Sequence, residues 1–253
     1  MVVTSPWLAT ITSFIGGVYV TVNPLYVWDS NGSVVRKTRV ASIPKDRRMI
    51  ALDADEAQRL GLNAAGRTNL ILLYRQVPLD VSDSVSLFSD PSVLPFISQR
   101  ILTALSEFDP ANYPYYQRRL SEFQTRLDST ILVGRQLLKG YPVLDLTGEF
   151  SDMLLAAGCD LSMRDNRLLN AWAKGEDTNG LLAAVKNAVQ KKIPVVLDTM
   201  TAKKIRDALR NEKDVLAIGR PAEGQDLLLF FHDQYLALWN KLAPLREARQ
   251  GKN

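Results

Sequence analysis

One long helical pattern constrains the fold of this chain more than any other feature. Between Phe108 and Gly140, apolar side chains recur at steps of four, three, four and four, at Tyr116, Leu120, Phe123, Leu127 and Ile131. This spacing places them on one face of a helix. A helix from Tyr113 to Lys139 would be roughly 40 Å long, about the diameter of a small domain. Such a helix can span two globular halves.

The residues before this helix alternate between strand and helix patterns. Val2–Thr4, Pro6–Ile15 and the β-branched run Val18–Val22 predict a strand, a helix and a second strand, which together form a βαβ unit with a parallel sheet. An Asn-Gly pair at residues 31 and 32 predicts a hairpin between Tyr26–Trp28 and Val34–Val35.

The remainder of this first half continues the alternation. Asp53 is placed to cap a helix that ends near Leu60, and Asn69–Tyr74 reads as a buried strand. Asp90-Pro91 then predicts the start of a helix that ends near Glu107, with Asp as the N-cap and Pro at the first helical position.

The residues after the long helix repeat the same alternation. Strands are predicted at Pro142–Leu146, Pro194–Leu197 and Val215–Ile218, and helices at Glu149–Ala157, around Leu168–Trp172, at Leu181–Lys191, at Ala202–Leu209 and from Gln225 onward. We therefore predict an α/β protein of two lobes, each with a mostly parallel sheet flanked by helices, joined by one long backbone helix. The predicted domains are residues 1–112, 113–139 and 140–253.

Composition removes several classes of function. Cys159 and His232 are the single cysteine and the single histidine, so a site built from several Cys or His ligands is excluded. GxSxG, Walker, GxGxxG and HExxH motifs do not occur, and we predict that the protein is not an enzyme and uses no cofactor. The net charge of +4 is not carried by a long basic block, which argues against nucleic acid as a partner.

Several stretches resemble the zinc- and manganese-type substrate-binding proteins of bacterial ABC importers. Asp109-Pro110-Ala111-Asn112, followed by Tyr115-Tyr116, Phe123 and Leu127, resembles the entry to the long backbone helix of that family. Ser89-Asp90-Pro91 resembles the end of its preceding HVWLDP-like motif. Val2–Val22 resembles the opening of the family, Pro142–Leu161 the segment with the third ligand, and Tyr235–Leu245 the final helix.

The resemblance implies a receptor that captures a solute in a cleft between two lobes and delivers it to an ABC permease. It implies a monomer located outside the cytoplasm, in the periplasm or anchored at the cell surface. Met1 is followed by Val2, Val3 and Thr4 without a charged region, so we expect that an export signal is not part of this sequence.

The four metal-ligand positions that the resemblance implies carry other residues here. Ser86 falls where the HVWLDP-like motif has its histidine, and Thr147 falls at the third histidine, three residues before Phe150. Arg220 falls near the last acidic ligand. The first ligand position lies between Asn23 and Arg67, with Arg48 as the candidate.

This set of side chains suits an anion better than a metal ion. Hydroxyls are weak zinc ligands, and a guanidinium offers a planar fork of donors to carboxylate or phosphate. We therefore predict that the ligand is an anion, an organic acid or a chelated metal, and that no free metal is bound. Two alternatives stay open, a divalent-metal receptor with non-histidine ligands and a scaffold-only interaction protein without a ligand.

Each candidate also has a structural interpretation. Arg48 and Arg220 can be solvated loop charges, and Ser86 and Thr147 can cap a turn or helix. Glu149 and Asp198 follow predicted strands in the second half, where they can cap N–H groups or form a weak cation site. Tyr26 and Trp28, near Arg36, Lys37 and Arg39, form either a docking surface, a platform for single strands or a plain hairpin, and we favour the hairpin.

Overall fold

The protein is described by a computed structural model that covers residues 1–62, 67, 69–74, 86–212, 215–222 and 224–250. For residues 86 and 242–250 the description is of the backbone alone. The chain forms two compact units. Unit 1 consists of Met1–Phe88, Ser92–Asp128 and Pro221–Leu227, and unit 2 of Ser89–Pro91, Ser129–Arg220 and Leu228–Asn253.

Helices and parallel strands alternate in both units, which confirms the predicted α/β fold class. The helices are α1 (Pro6–Gly16), α2 (Ala54–Arg59), α3 (Leu94–Phe108), α4 (Tyr113–Leu138), α5 (Ser151–Ala156), α6 (Asn166–Lys174), α7 (Thr178–Gln190), α8 (Lys203–Ala208) and α9 (Leu227–Gln250). The strands are β1 (Val2–Val3), β2 (Asn23–Pro24), β3 (Tyr26–Trp28), β4 (Val34–Arg36), β5 (Met49–Asp53), β6 (Leu70–Tyr74), β7 (Leu144–Asp145), β8 (Val195–Asp198) and β9 (Val215–Ile218).

The sheet of unit 1 has the order β2-β1-β5-β6, and all its pairs are parallel. Met49 pairs with both Val2 and Leu70, which fixes the register across three strands. In the chain, α1 lies between β1 and β2 and α2 between β5 and β6, and most of β5 is buried. The predicted cap of α2 is confirmed, since Asp53 Oδ1 accepts a hydrogen bond from Glu56 N at 2.7 Å.

The predicted hairpin forms a separate antiparallel pair, β3–β4, in which Val27 lies opposite Val35. Asp29 closes its turn, because Asp29 Oδ1 accepts from Asn31 N at 2.8 Å and from Ser33 N at 2.9 Å. Gly32 takes a φ of 76°, the left-handed conformation that made Asn-Gly a turn signal.

The strand predicted at Val18–Val22 is wrong. Helix α1 continues to Gly16, a 3-10 turn follows at Gly17–Tyr19, and the chain joins the sheet only at Asn23. Val18 and Tyr19 are 85% and 55% exposed, and the first residue after α1 that pairs with β1 is Asn23. Strand propensity without a partner strand did not produce a strand.

The start predicted for the helix at Asp90-Pro91 is also wrong. Residues 91–93 form a turn, and α3 begins at Leu94, with Val93 at the N-cap and without a side-chain cap. The proline at the start of this helix is Pro95. The rule that proline favours the first helical turn therefore holds, but it applies to the next proline along the chain.

Helix α4 confirms the long helical pattern, with 26 residues or about 39 Å of length. The side chains of Tyr116, Leu120, Phe123 and Leu127 are buried as predicted. Beyond them the buried face moves by one position, to Thr130 and Gly134, and Ile131 is half-buried. The helix belongs to unit 1 up to Asp128 and to unit 2 from Ser129.

The sheet of unit 2 has the order β7-β8-β9, with Leu144 paired to Val195 and Val195 paired to Val215, all parallel. Its core contains aliphatic side chains and one tryptophan, including Leu144, Leu146, Trp172, Leu181, Val185 and Val195. Across the described ranges, we find no helix that is both long and apolar enough to cross a membrane.

Candidate functional site

The strands of unit 2 bring their carboxyl ends to one edge of the sheet. Asp145 ends β7, Asp198 ends β8, and Arg220 follows β9 by two residues. In open α/β sheets this edge is where ligands bind. The polar side chains at this edge therefore form the candidate site of unit 2.

Asp198 holds two loops at this edge through backbone N–H groups. Its Oδ1 accepts from Gly148 N at 3.1 Å, Met200 N at 2.9 Å and Thr201 N at 2.6 Å, and its Oδ2 accepts from Glu149 N at 2.8 Å. Both carboxylate oxygens are thus engaged. Asp198 therefore caps backbone N–H groups, which is one of the two roles that the sequence left open for this carboxylate.

Arg220 forms an ion pair with Glu149 inside unit 2. Arg220 Nη1 contacts Glu149 Oε2, and the two side chains are 4% and 0% exposed. The guanidinium carbon also lies 5.7 Å from the ring centroid of Phe150. Because burial of a single charge is very costly, each of these two groups compensates the charge of the other.

A second network surrounds the buried carboxylate of Asp145. Its Oδ1 accepts from Thr147 N at 2.9 Å and from Thr147 Oγ1 at 2.6 Å, and its Oδ2 accepts from Ser151 Oγ at 2.7 Å. Arg164 Nη1 contacts both Asp145 Oδ2 and Ser151 Oγ. The Thr147 hydroxyl is therefore a donor to Asp145, and Arg164 is a site residue that the sequence did not reveal, since no motif contains it.

Acidic groups outnumber basic groups at this edge. Burial raises the pKa of Asp152, the nearby Asp90 adds to the rise, and Arg164 opposes it. With Asp145, Glu149 and Asp198 there are thus more carboxylates here than guanidiniums. Each guanidinium of the edge is matched to a particular carboxylate.

The described residues do not provide a donor set for the divalent metal that the sequence resemblance implies. Among the residues described by the structure, no cluster of three or more His, Cys, Asp or Glu is placed to hold a metal ion. Burial raises the pKa of the Cys159 thiol to about 12, which keeps it protonated and a poor ligand. His232 lies on α9, with Nδ1 3.7 Å from the Asp233 carboxylate.

The predicted site residues divide between the two units. Thr147 and Arg220 lie in unit 2, where both contact residues of the segment 145–149. Arg48 lies in unit 1 directly before β5, at the amino end of a parallel strand, and its exposed guanidinium is 5.6 Å from the Phe108 ring centroid. Ser86 begins a 3-10 turn, and its side chain lies outside the described part of the chain.

Unit 1 contains a separate cavity of about 440 Å³ beside α1 and the hairpin. Its walls include Phe14, Trp28, Pro6 and Pro24. Asp226 at its edge forms an ion pair with Arg126, at 2.9 Å. This volume lies within the usual range for small-molecule sites, and the walls are mainly apolar.

Comparison with known proteins identifies the fold. No protein-family profile matches the chain, and no curated protein matches its sequence significantly. A Zn(II)-bound variant of AdcAII from Streptococcus pneumoniae superposes with a TM-score of 0.67 at 13% identity, over 95% of this chain and 98% of that one. The periplasmic zinc-binding protein TroA from Treponema pallidum gives 0.62 at 14% identity, over 94% and 98%.

A third similar structure is the laminin-binding protein Lmb of Streptococcus agalactiae, described as a bifunctional protein with adhesin and metal-transporting activity. It gives a TM-score of 0.65 at 12% identity, over 95% of this chain and 98% of that one. The resemblance to the metal-receptor scaffold is therefore confirmed at the level of the fold, over nearly the whole chain.

Proposed function

We propose that this protein is an extracytoplasmic solute-binding receptor of an ABC importer, and that its ligand is an anion, an organic acid or a chelated metal. The shared fold over nearly the whole chain supports the receptor class. The ABC permease is the membrane partner in this proposal, and the protein acts without catalysis.

The observation that carries the ligand class is the buried guanidinium of Arg220 at the carboxyl edge of the unit 2 sheet. An arginine cannot lose its proton to coordinate a metal. It presents a planar fork of N–H donors that matches carboxylate and phosphate. A residue of this kind at a ligand-binding edge favours an oxyanion.

The ion pair with Glu149 sets how such a ligand binds. The Glu149 carboxylate contacts Nη1 of Arg220. An entering oxyanion either displaces this carboxylate from Nη1 or binds the guanidinium beside it. Glu149 is held by its backbone as well, because its N donates to Asp198 Oδ2 and its carbonyl accepts from Ser89 Oγ at 2.5 Å. The carboxylate is thus an internal competitor of the ligand.

The test is calorimetric titration of the full chain with zinc chloride, manganese chloride and a panel of phosphate, citrate and zinc citrate. We expect heat from at least one anion. In a separate melting experiment, that anion should raise the melting temperature, because a ligand at 100 times its dissociation constant stabilises the folded protein by about 2.7 kcal/mol. Tight binding of free zinc with no heat from any anion would falsify the proposal.

Arg220→Gln combined with Glu149→Gln, which leaves no unpaired buried charge, should abolish the anion heat, whereas the matched control Arg210→Gln should keep it. Arg210 is an exposed arginine of unit 2 that pairs with Asp207 at 3.2 Å, away from the sheet edge. Equal loss in both variants would remove Arg220 from the binding role.

A second candidate is a scaffold-only interaction protein, favoured by the complete burial of the Glu149–Arg220 pair. If this pair serves only the fold, Glu149→Met combined with Arg220→Met should leave stability nearly unchanged, because apolar replacement of a buried pair is often neutral. In that case no member of the ligand panel should shift the melting temperature of the unaltered protein.

A further inference from the structure

One short stretch of unit 1 carries a dense excess of basic residues. Residues 26–48, here called the basic segment, contain six basic and two acidic residues, a net charge of +4, which equals the net charge of the whole chain. Residues 1–25 contain no charged side chain, and residues 49–253 contain 25 basic and 25 acidic ones. The basic segment is therefore a local concentration of positive charge, and the rest of unit 1, with seven basic and eleven acidic residues, balances it.

The second half of this segment has little regular structure, yet hydrogen bonds fix it. Arg67 Nη1 donates to Pro44 O at 2.9 Å, and Arg67 Nη2 donates to Val40 O at 2.9 Å and to Ile43 O at 3.1 Å. Asn69 Nδ2 donates to Asp46 O at 2.7 Å. These hydrogen bonds hold the backbone of the segment in place within unit 1. The guanidinium of Arg67 adds a further positive charge next to this backbone.

The basic side chains of this segment are exposed. Arg36 lies on the ring of Tyr26, with Nη2 3.0 Å from the phenol oxygen. The side chains of Arg39, Lys45 and Arg47 make no hydrogen bond or ion pair to another residue of the described ranges. They keep their charge available for an external anionic partner.

Apolar side chains accompany these charges. Val34 and Val35, on the hairpin next to Arg36, are 55% and 40% exposed. Basic side chains beside exposed apolar ones are typical of segments that lie on a bilayer interface, where the charges attract anionic headgroups and the apolar groups enter the boundary.

We propose that the basic segment is a docking surface for an anionic lipid bilayer. Charge complementarity identifies this partner, and the proposal does not depend on the solute that the protein binds. A platform for single-stranded nucleic acid would need open aromatic faces. Here Trp28 packs edge-to-face on Trp7, with ring centroids 4.8 Å apart, and Arg36 covers Tyr26.

The experiment is co-sedimentation of the full chain with vesicles of phosphatidylcholine alone or of phosphatidylcholine with phosphatidylglycerol. We expect binding only to the anionic vesicles, and weaker binding as salt is raised. The triple variant Arg39→Gln, Lys45→Gln, Arg47→Gln should lower the partition coefficient by on the order of a hundredfold, at about fivefold per charge removed.

The matched control is Lys186→Gln, Lys191→Gln, Lys203→Gln, which removes the same net charge from exposed positions of unit 2. This variant should bind nearly as the unaltered protein does. An equal loss in both triple variants, binding to neutral vesicles, or retention on single-stranded DNA without binding to anionic vesicles would each overturn the proposal.

Discussion

At the scale of single residues, Asp109 organises the turn that precedes α4. Asp109 Oδ2 accepts from Asn112 Nδ2 at 2.8 Å and from the hydroxyl of Tyr116 at 2.7 Å. The donation from Asn112, followed by that from Tyr116, lowers the pKa of this carboxyl. The ionised form of Asp109 is therefore favoured in the folded protein.

This shift gives stability a defined pH dependence. Because the folded pKa lies below the ordinary value of 3.8, the contribution is fully present above that value and is lost as pH falls through the folded pKa. Asp109→Asn should lower the melting temperature at neutral pH, and the difference from the unaltered protein should shrink at acid pH. Melting curves from pH 7 to about pH 2 measure this. A constant difference over this range would contradict it.

The polar residues of unit 2 show which parts of a site a sequence can reveal. Asp198 and Arg220 were found because each follows a strand that is recognisable from its apolar run. Arg164 was not found, because its contact with Asp145 joins residues 19 positions apart without a shared motif. Glu149 and Arg220 were each singled out, but their pairing was not predicted. The pairing joins two loops that are far apart in sequence, and a local pattern does not show which loops meet.

At the scale of elements, α4 and α9 approach closely at a glycine within unit 2. A Cβ atom built on Gly134 would lie 2.7 Å from Cε2 of Tyr235. The ring of Tyr235 is fully buried, and its hydroxyl donates to Met153 O at 3.2 Å, so the ring cannot move aside easily. Gly134 thus permits the contact between the two helices.

Gly134→Ala should therefore destabilise the protein by about 1 to 2 kcal/mol, since the overpacking cost exceeds the gain in helix propensity of about 1 kcal/mol. Urea unfolding followed by tryptophan fluorescence measures the change. Gly219→Ala is the control, because its Cβ would meet no atom within 4 Å, and it should be nearly neutral. If Gly134→Ala were more stable than the unaltered protein, the Tyr235 ring would have to move away from the added methyl group at little cost.

Element prediction from sequence succeeded where the signal was local. The stripe of α4, the Asn-Gly hairpin and the Asp53 cap each contain their own cause within a few residues. The run Val18–Val22 failed because a strand also needs a neighbour, and the sheet receives the chain only from Asn23. The start of α3 failed because two prolines four residues apart, Pro91 and Pro95, give the same local signal.

At the scale of the whole molecule, α4 crosses the division between the units with 16 residues in unit 1 and 10 in unit 2, whereas α9 has only Leu227 in unit 1. Its buried face continues on each side of the division, with Leu127 at 1% and Thr130 at 9% exposure. The helical hydrogen bonds continue across Asp128 and Ser129 without interruption. The helix is therefore a single element, as the apolar stripe predicted.

Hydrogen exchange should report this continuity. Amides from Tyr116 to Leu138 should exchange slowly, with no faster step at residues 128 and 129, because exchange there requires opening a helix packed on both sides. Mass spectrometry of peptides that span the division measures the rates. Exchange at Leu127–Ile131 as fast as in the exposed hairpin turn at Asn31–Ser33 would show that the helix opens at this point.

Unit 1 is completed by the distant segment Pro221–Leu227, whose Asp226 pairs with Arg126. A ribosome must therefore synthesise all of residues 129–220 before this last piece of unit 1 emerges. The nascent amino-terminal part of unit 1 must wait in an incomplete form while residues 129–220 are made. Expression of a fragment that stops at Asp128 would yield this unfinished state, and adding back a peptide of residues 221–227 would be the natural way to complete it.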